Sequence, residues 1–510
     1  MESKTLLRNI SFGSQKELAM GILLLLGVLG ITRILFIRYR TGLRNIPGPF
    51  LASISDLDRL WSCFAGQQMN YHLKLHEKYG PLVRIGPKHV SFSNGSLIPL
   101  VYSISTRFWK SEFYDMFHLD GTSTTFSERD EMKHRTKKRP VAGAYSMSTM
   151  KELEPMNDEC SDIFIAKLEG LAGKDIDLGQ WLHWYAFDLI TTIAFSNRLG
   201  FMELETDVQG VIKALSDRLK YVSTIGQAPY LHKYLLGNRL VSWVASVLRG
   251  TDSLPTKYLI NFIMQQVQCR VGKDSKMEVD DLLGRFKRFK DGEQVMDDTE
   301  LMSHAAANVL AGSDTTAATL RALFYNLCRN SEVHDKLLFE VDEAVRNGQL
   351  SDPVTFEEAR QLKYLQAVLK ESLRIHPAIG LLLERVVPAG GAEIGGVWLP
   401  EGTIVGINPW VAAREQSVYG DDVFTFRPER WLEADAGQLK LMERNFLSFG
   451  GGSRTCLGKN VSLLEMSKLV PQLLMKFDFE LTDPSREWTL HDYLFVGQTG
   501  LICKIMRRSK

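Results

Sequence analysis

The stretch from Phe449 to Asn460 reads FGGGSRTCLGKN and is the most informative part of the chain. A thiolate that serves as a metal ligand must be shielded from solvent and met by backbone N–H groups that moderate its charge. The glycines at 450, 451, 452 and 458 allow the backbone to approach a cofactor closely and to form left-handed turns. The following KNVSLLEMSKLV predicts a helix whose first amides and positive dipole end face the sulfur of Cys456. Arg454 adds a fork of donors that suits a carboxylate.

The composition narrows the class of protein around this loop. The chain has 510 residues, with 61 basic and 60 acidic side chains, so no overall field recruits nucleic acid. Apolar content of 45% and charged content of 24% are those of a globular protein with a sizeable core. The six cysteines lack the CxxC or CxH spacing of a zinc site or a disulfide framework, which favours a reduced, cytosolic environment.

An apolar segment near the amino terminus predicts a membrane anchor. Residues 18–37 (LAMGILLLLGVLGITRILFI) reach the roughly 20 residues that a bilayer-spanning helix requires, and arginines at 38, 40 and 44 follow. This basic flank predicts a cytosolic orientation for the rest of the chain. The NIPGPF stretch cannot continue a helix and separates anchor from body. A cleaved signal peptide or a buried core helix is the alternative.

We therefore expect four segments. They are a luminal tail over 1–17, a transmembrane helix over 18–37, a basic and Pro/Gly-rich linker over 38–50, and one domain over 51–510. Asn9 begins a glycosylation sequon that would lie on the luminal side in this topology.

The body has the pattern of a mainly α protein with small β-sheets. Apolar residues recur at helical spacing through KELEPMNDECSDIFIAKLEGLAG, LGQWLHWYAFDLITTIAF and SHAAANVLAGSDTTAATLRALFYNLCRN. Short strands are predicted at LVRIG, at HVSFS and within residues 386–407, where glycines and prolines mark turns. No βαβ alternation is present, which argues against a Rossmann or TIM-barrel architecture.

A helix predicted from about residue 298 to 330 contains Ala311-Gly-Ser-Asp-Thr-Thr316. Gly312 weakens the helix, and Thr315 is able to bond to the carbonyl that a regular turn would use, which predicts a local distortion. Asp314 and Thr315 form an acid–alcohol pair suited to proton delivery. The alternative is a core helix with a tolerated glycine and satisfied hydroxyl groups.

The pattern F-x-x-G-x-R-x-C-x-G, formed by Phe449, Gly452, Arg454, Cys456 and Gly458, closely resembles the haem-binding loop of the cytochrome P450 family. The Ala311 motif, Glu371-Ser-Leu-Arg374 and Phe426-Arg-Pro-Glu-Arg-Trp431 follow in the family's order. The resemblance implies the P450 fold, one large domain behind the anchor, with haem b whose iron is ligated by Cys456. It also implies electrons from NADPH through a separate membrane-bound reductase, and insertion of one atom of O2 into a mainly apolar substrate.

The resemblance assigns roles to further residues. Glu371, Arg374 and Arg430 would form a buried charge cluster that braces the cysteine loop. Arg454 and Arg385 would bind the haem propionates. In the family, a third group that binds the haem propionates comes from a W-x-x-x-R pattern, from which this chain departs. His134 and Lys138 stand at the tryptophan and arginine positions, and Arg135 and Arg139 are alternatives for the same role. The alternative for this basic run is a solvated face that docks a redox partner.

The substrate is less well defined by the sequence. His304, Asn308, Ala311 and Thr315 recur at helical spacing and are able to face the haem pocket. His304 and Asn308 would either orient a polar group of the substrate or bond to neighbouring helices. AIGLLLER and the segment around Phe495 would add apolar walls.

The strings NIPGPFLASISDLDRL and YSMS look like fungal members of specialised metabolism related to pisatin demethylase. That likeness implies a terpenoid, polyketide or alkaloid substrate and an enzyme of the endoplasmic reticulum membrane. Two alternatives remain, namely a same-fold isomerase or dehydratase that needs neither O2 nor a reductase, and a non-enzymatic haem or ligand binder.

Overall fold

The structure is a computed structural model that describes residues 12–119, 121–248, 254–272, 281–288, 290–291 and 294–508. The Asn9 sequon and most of the expected luminal tail lie outside the described residues. The described part is mainly helical with several small sheets, as expected for the predicted fold class.

The α-helices are α1 Phe12–Arg40, α2 Leu57–Phe64, α3 Gln68–Tyr79, α4 Ile98–Tyr102, α5 Glu131–Ala142, α6 Met147–Glu152, α7 Glu154–Gly170, α8 Leu178–Phe195, α9 Phe201–Leu204, α10 Val211–Gly226, α11 Arg239–Leu248, α12 Pro255–Gly272, α13 Leu282–Arg288, α14 Asp298–Arg329, α15 Ser331–Arg346, α16 Phe356–Gln361, α17 Lys363–Ile375, α18 Pro409–Ala412, α19 Gln416–Tyr419, α20 Arg430–Glu433, α21 Ala436–Asn445 and α22 Lys459–Lys476. The strands are β1 Leu82–Arg84, β2 His89–Phe92, β3 Trp109–Lys110, β4 Asp175–Asp177, β5 Lys290–Asp291, β6 Gln294–Val295, β7 Arg385–Val386, β8 Ala392–Ile394, β9 Val397–Leu399, β10 Ile404–Gly406, β11 Phe477–Leu481, β12 Thr489–Tyr493, β13 Phe495–Thr499 and β14 Ile502–Arg507.

Helix α1 projects from the body. Its large apolar side chains are exposed, and Glu17–Tyr39 is long and apolar enough to cross a membrane, which encloses the predicted anchor at 18–37. The carboxyl end of α1 is tied to the body, because Arg38 donates to Ser53 Oγ at 2.6 Å and Arg84 donates to the carbonyl of Arg38 at 3.1 Å.

Helices α8 and α14 pack closely together in the main core. A Cβ added to Gly312 would lie 2.7 Å from Cγ1 of Ile190, so the glycine permits this close approach. Helix α14 is assigned as α-helix without interruption from Asp298 to Arg329. Gly312 therefore serves the packing of α14 on α8, and the local distortion predicted at this turn stays a prediction.

The largest sheet has the order β1-β2-β10-β7-β3, in which β10 and β2 are parallel. Strand β3 pairs antiparallel with β7, which brings Lys110 opposite Arg385. The glycines read from the sequence as turns lie in turns: Gly395 and Gly396 join β8 to β9 with φ of +58° and +77°. A β-bridge joins Ile379 to Phe495, so the two predicted apolar walls meet.

Candidate active site

The loop before α22 presents the Cys456 thiol to backbone donors. The amides of Gly458 and Lys459 bond to the sulfur and act to lower the pKa of the thiol, although burial raises that pKa overall. The Cys456 amide in turn donates to the carbonyl of Phe449 at 2.9 Å, which closes the loop. Cys456 nevertheless keeps an accessible surface deep within the protein, so its side chain is not fully covered by packed neighbours.

Gly452 is required by the loop for two reasons. Its φ is +63°, a region that L side chains avoid, and an added Cβ would lie 1.7 Å from the carbonyl oxygen of Tyr102. No other residue type fits this position without moving α4. The loop is also fixed to α17, because Ser448 Oγ donates to the carbonyl of Leu373 at 2.7 Å.

A fully bonded group of charges lies behind this loop, and we call it the matched cluster: Glu371, Arg374, Arg430 and Trp431. Arg374 donates two bonds to the Glu371 carboxylate, at 2.7 and 2.9 Å. Arg430 adds a bond at 3.0 Å and the Trp431 indole one at 2.9 Å. The predicted pairing of both arginines with Glu371 is thus present, and the side chains of Glu371 and Arg374 are 0% exposed.

A second group of basic side chains has too few acidic partners, and we call it the cationic cluster. Its members converge from β3, α5, β7 and the cysteine loop: Lys110, His134, Lys138, Arg385 and Arg454. Burial, followed by the charges of Arg385 and Arg454, lowers the pKa of Lys110 well below its usual value. In the part of the chain that the structure describes, the carboxylate bonded to this cluster is Glu131, which lies 2.7 Å from Arg454.

The cluster settles which basic residues of α5 face inward. His134 is buried, and its pKa is lowered to about 3 by burial and by the neighbouring cations. Lys138 donates to the carbonyl of Ser453 at 2.8 Å, while Arg135 and Arg139 are exposed. His134 and Lys138, as expected, therefore join Arg454 and Arg385. Lys110 was missed, because WKSEF carries no motif and only the β3–β7 pairing brings it to Arg385.

The proposed acid–alcohol pair on α14 has specific partners. Thr315 Oγ1 donates to the carbonyl of Ala311 at 2.8 Å, the bond expected from the sequence. The Asp314 carboxylate lies 2.6 Å from Nε2 of His183 on α8. Asp314 and Thr315 are thus each bonded to another group. Ala311, one turn before Thr315, is exposed although α14 is mostly buried.

His304 and Asn308 contact neighbouring elements rather than Ala311. The Tyr145 hydroxyl donates to Asn308 Oδ1 at 2.5 Å, and the His304 ring lies 5.7 Å from that of Phe286. These contacts match the alternative that both residues bond or pack to nearby segments. Their expected place in the substrate pocket stays a prediction, since Tyr145 occupies only the Asn308 carbonyl, and Asn308 Nδ2 and His304 Nε2 are buried without a hydrogen-bond partner.

These features fit a haem. A thiol bonded by two amides is suited to ligate iron, and a buried excess of cations is suited to two carboxylates. The accessible Cys456 side chain would ligate the iron of such a cofactor, and the cationic cluster would bind its acidic edge. The fold and site therefore fit the class of haem-thiolate proteins.

Comparison with known proteins gives the family. The family model of cytochrome P450 matches residues 46–500. The cytochrome P450 monooxygenase cicH of Emericella nidulans is 38% identical over 490 residues, which cover 94% of this chain and 97% of that protein. The cytochrome P450 monooxygenase gsfF of Penicillium aethiopicum is 36% identical over 508 residues, covering 96% and 98%. The chain belongs to the cytochrome P450 family and is a monooxygenase. The family implies a haem and a redox partner that supplies electrons.

Proposed function

We propose that this protein is a membrane-anchored monooxygenase of fungal secondary metabolism that uses haem b and electrons from NADPH. The electrons would arrive through a separate cytochrome P450 reductase. The observation that carries the proposal is the Cys456 thiol bonded by the amides of Gly458 and Lys459 beside the cationic cluster. The fungal relatives support the assignment to secondary metabolism.

In this proposal Cys456 ligates the haem iron, and the cationic cluster binds the two propionates. Two lysines and two arginines around one partly exposed carboxylate give the positive potential that such anions require, and the neutral His134 adds a hydrogen-bonding group. Arg385 is oriented for this role, since its guanidinium lies 4.9 Å from the Tyr102 ring centroid and donates to the carbonyl of Glu384. The matched cluster would keep the cysteine loop in place.

When bound, the haem supplies O2 activation, so that one oxygen atom enters the substrate and the other leaves as water. That balance consumes two protons. The Thr315 hydroxyl would release its bond to the Ala311 carbonyl and pass a proton towards the cofactor side, and Asp314 would restore it. Ala311, Ile379 and Phe495 would contribute apolar walls, which favours a terpenoid, polyketide or alkaloid.

The anchor would hold the enzyme in the endoplasmic reticulum membrane with the body in the cytosol. The exposed apolar face of α1 and the arginines that follow it support this orientation. Product analysis after co-expression with the neighbouring genes would identify the substrate. Turnover without NADPH or reductase would instead support the isomerase or dehydratase alternative.

The central test is Cys456→Ser. We expect the purified variant to lose the red-shifted Soret band of its reduced carbon monoxide complex, because serine offers no thiolate. Survival of that band would overturn the proposal. A second variant, Thr315→Ala, should retain haem and divert reduced oxygen to peroxide; full coupling of NADPH use to product would remove the role given to Thr315.

A further inference from the structure

The partner of Asp314 is a histidine that the sequence pattern did not single out. His183 lies within LGQWLHWYAFDLITTIAF, which reads as an apolar core helix, and α8 is buried over most of its length. Its Nε2 lies 2.6 Å from Asp314 Oδ1, and the two side chains are 12% and 18% exposed. A polar pair between two packed helices is costly unless it is bonded, and this pair also keeps contact with solvent.

The side of α8 next to His183 borders a surface cavity of about 390 Å³. Gln180 and Trp184, which flank His183 on α8, line this cavity together with Asp207. The negative charge of Asp207 is close enough to raise the pKa of the His183 imidazole. Solvent therefore reaches α8 within one turn of His183, whose side chain is itself partly exposed, and the Asp314 carboxylate lies at its Nε2.

The charges around His183 favour its neutral form. Burial and Arg321 lower the pKa of His183, whereas Asp314 and Asp207 act to raise it, and the net direction is downward. A neutral imidazole has one nitrogen that donates and one that accepts, so it is able to take a proton on one side while giving one up on the other.

We propose that His183 is the proton entry to Asp314: Nδ1 takes a proton from solvent on the α8 side, and Nε2 gives its proton to the Asp314 carboxylate. The imidazole gains one proton and loses one, the carboxylate gains one and passes it towards Thr315, and no electron moves. The proposal rests on the proposed monooxygenase function, in which Asp314 and Thr315 deliver protons. His183 acts through Asp314 and touches no reacting atom.

A merely structural link between α8 and α14 is the competing explanation, and His183→Gln separates the two. Glutamine retains a donor for Asp314 and cannot relay a proton, whereas His183→Phe removes both. His118→Gln is a matched control, because its Nε2 lies 3.7 Å from Asp115 at a surface position. We expect all three variants to bind haem and to show the red-shifted Soret band.

The first readout is peroxide formed per NADPH during turnover, with the substrate found by product analysis. We expect His183→Gln to lose about 100-fold in coupled product formation, the low end of what proton transfer by a positioned side chain contributes, with peroxide rising in its place. We also expect the solvent isotope effect on product formation to be larger in His183→Gln than in the wild type. His118→Gln should behave as the wild type. Normal coupling in His183→Gln, with loss only in His183→Phe, would show a structural link and overturn the proposal.

The second readout needs no turnover. Nitrogen-15 NMR of histidine-labelled protein in the reduced carbon monoxide form, with the signal assigned by His183→Gln, reports the protonated nitrogen. We expect the imidazole proton on Nε2. In Asp314→Asn the pKa of His183 should fall further, because the Asp314 charge that raises this pKa is lost. The opposite tautomer would overturn the proposal. A wild-type protein that forms no oxygenated product with reductase would instead defeat the monooxygenase function while leaving the NMR result intact.

Discussion

Two groups of buried charge lie near the cysteine loop and differ in how they are neutralised. In the matched cluster, Glu371 accepts bonds from Arg374, Arg430 and Trp431. Arg374 gives its remaining donors to backbone carbonyls, and Arg430 also donates to the Asp422 carboxylate at 2.9 Å. In the cationic cluster, Lys110 and Arg385 face each other across β3 and β7, and burial together with the neighbouring positive charges lowers the pKa of Lys110 and His134. The charges of the first group are neutralised within the protein, and those of the second are neutralised only when an anionic ligand binds.

The difference separates residues that hold the fold from residues that bind. A buried charge whose hydrogen bonds are all made within the protein has no free donor or acceptor for a ligand. Its substitution therefore lowers the stability of the fold. A buried cation without a carboxylate raises the free energy of the folded chain until an anion binds. Substitutions in the two clusters should therefore have opposite signatures.

The largest effect is expected for Glu371→Gln. Two buried arginines would lose their common counter-charge, which costs about 3–5 kcal/mol of stability, so the protein should fail to fold or to retain haem. Haem content and urea unfolding followed by circular dichroism measure this. Glu433→Gln is the control, because its bond to Arg427 is exposed and should contribute under about 1 kcal/mol. Equal effects at 371 and 433 would contradict the comparison.

A smaller effect of a different kind is expected for Lys110→Met. Loss of one buried cation should weaken haem binding by about 10- to 100-fold, the value of one or two charge-assisted bonds, with little loss of fold. Transfer of haem to apomyoglobin measures the affinity. A variant with unchanged haem affinity would remove Lys110 from the binding group.

Lys468→Met provides the matched control for Lys110. Lys468 is equally buried but lies 3.0 Å from Glu154 and 2.9 Å from Asp158, so it is neutralised within the protein. We expect its loss to lower stability and to leave haem affinity unchanged. The reverse pattern in the two lysine variants would break the distinction between the clusters.

A third, still smaller effect concerns a group buried in its neutral form. Burial lowers the pKa of His376 to about 3, below an unfolded value of roughly 6.5. Between these values the unfolded chain binds more protons than the folded chain, so stability falls as pH drops below about 6.5. From pH 7 to pH 5 this histidine should lower the free energy of unfolding by about 2 kcal/mol.

Urea unfolding at pH 7 and pH 5 tests this. His376→Gln should reduce the loss of stability between pH 7 and pH 5. His334→Gln, on the partly exposed face of α15, should leave that loss unchanged. An unchanged pH dependence in His376→Gln would mean that other groups set the acid limit.

Much of the architecture followed from local patterns. The long helix predicted at 298–330 is α14, the strands at LVRIG and HVSFS are β1 and β2, and both arginines pair with Glu371. Local patterns were less informative where a residue's role depends on another segment. The sequence did not show that Gly312 packs on Ile190, and it left open whether Asn308 faces the pocket or bonds to a neighbouring segment such as Tyr145.

The sequence by itself determined the family and the cysteine loop, because glycine, cysteine and arginine at fixed local spacing meet chemical needs that few other residues satisfy. Only the tertiary structure decided which cations gather beside that loop and which histidine meets Asp314. Lys110 and Arg385 are far apart in the chain, as are His183 and Asp314. Burial and charge act through space, so the pairing of strands and the crossing of α8 and α14 created these contacts.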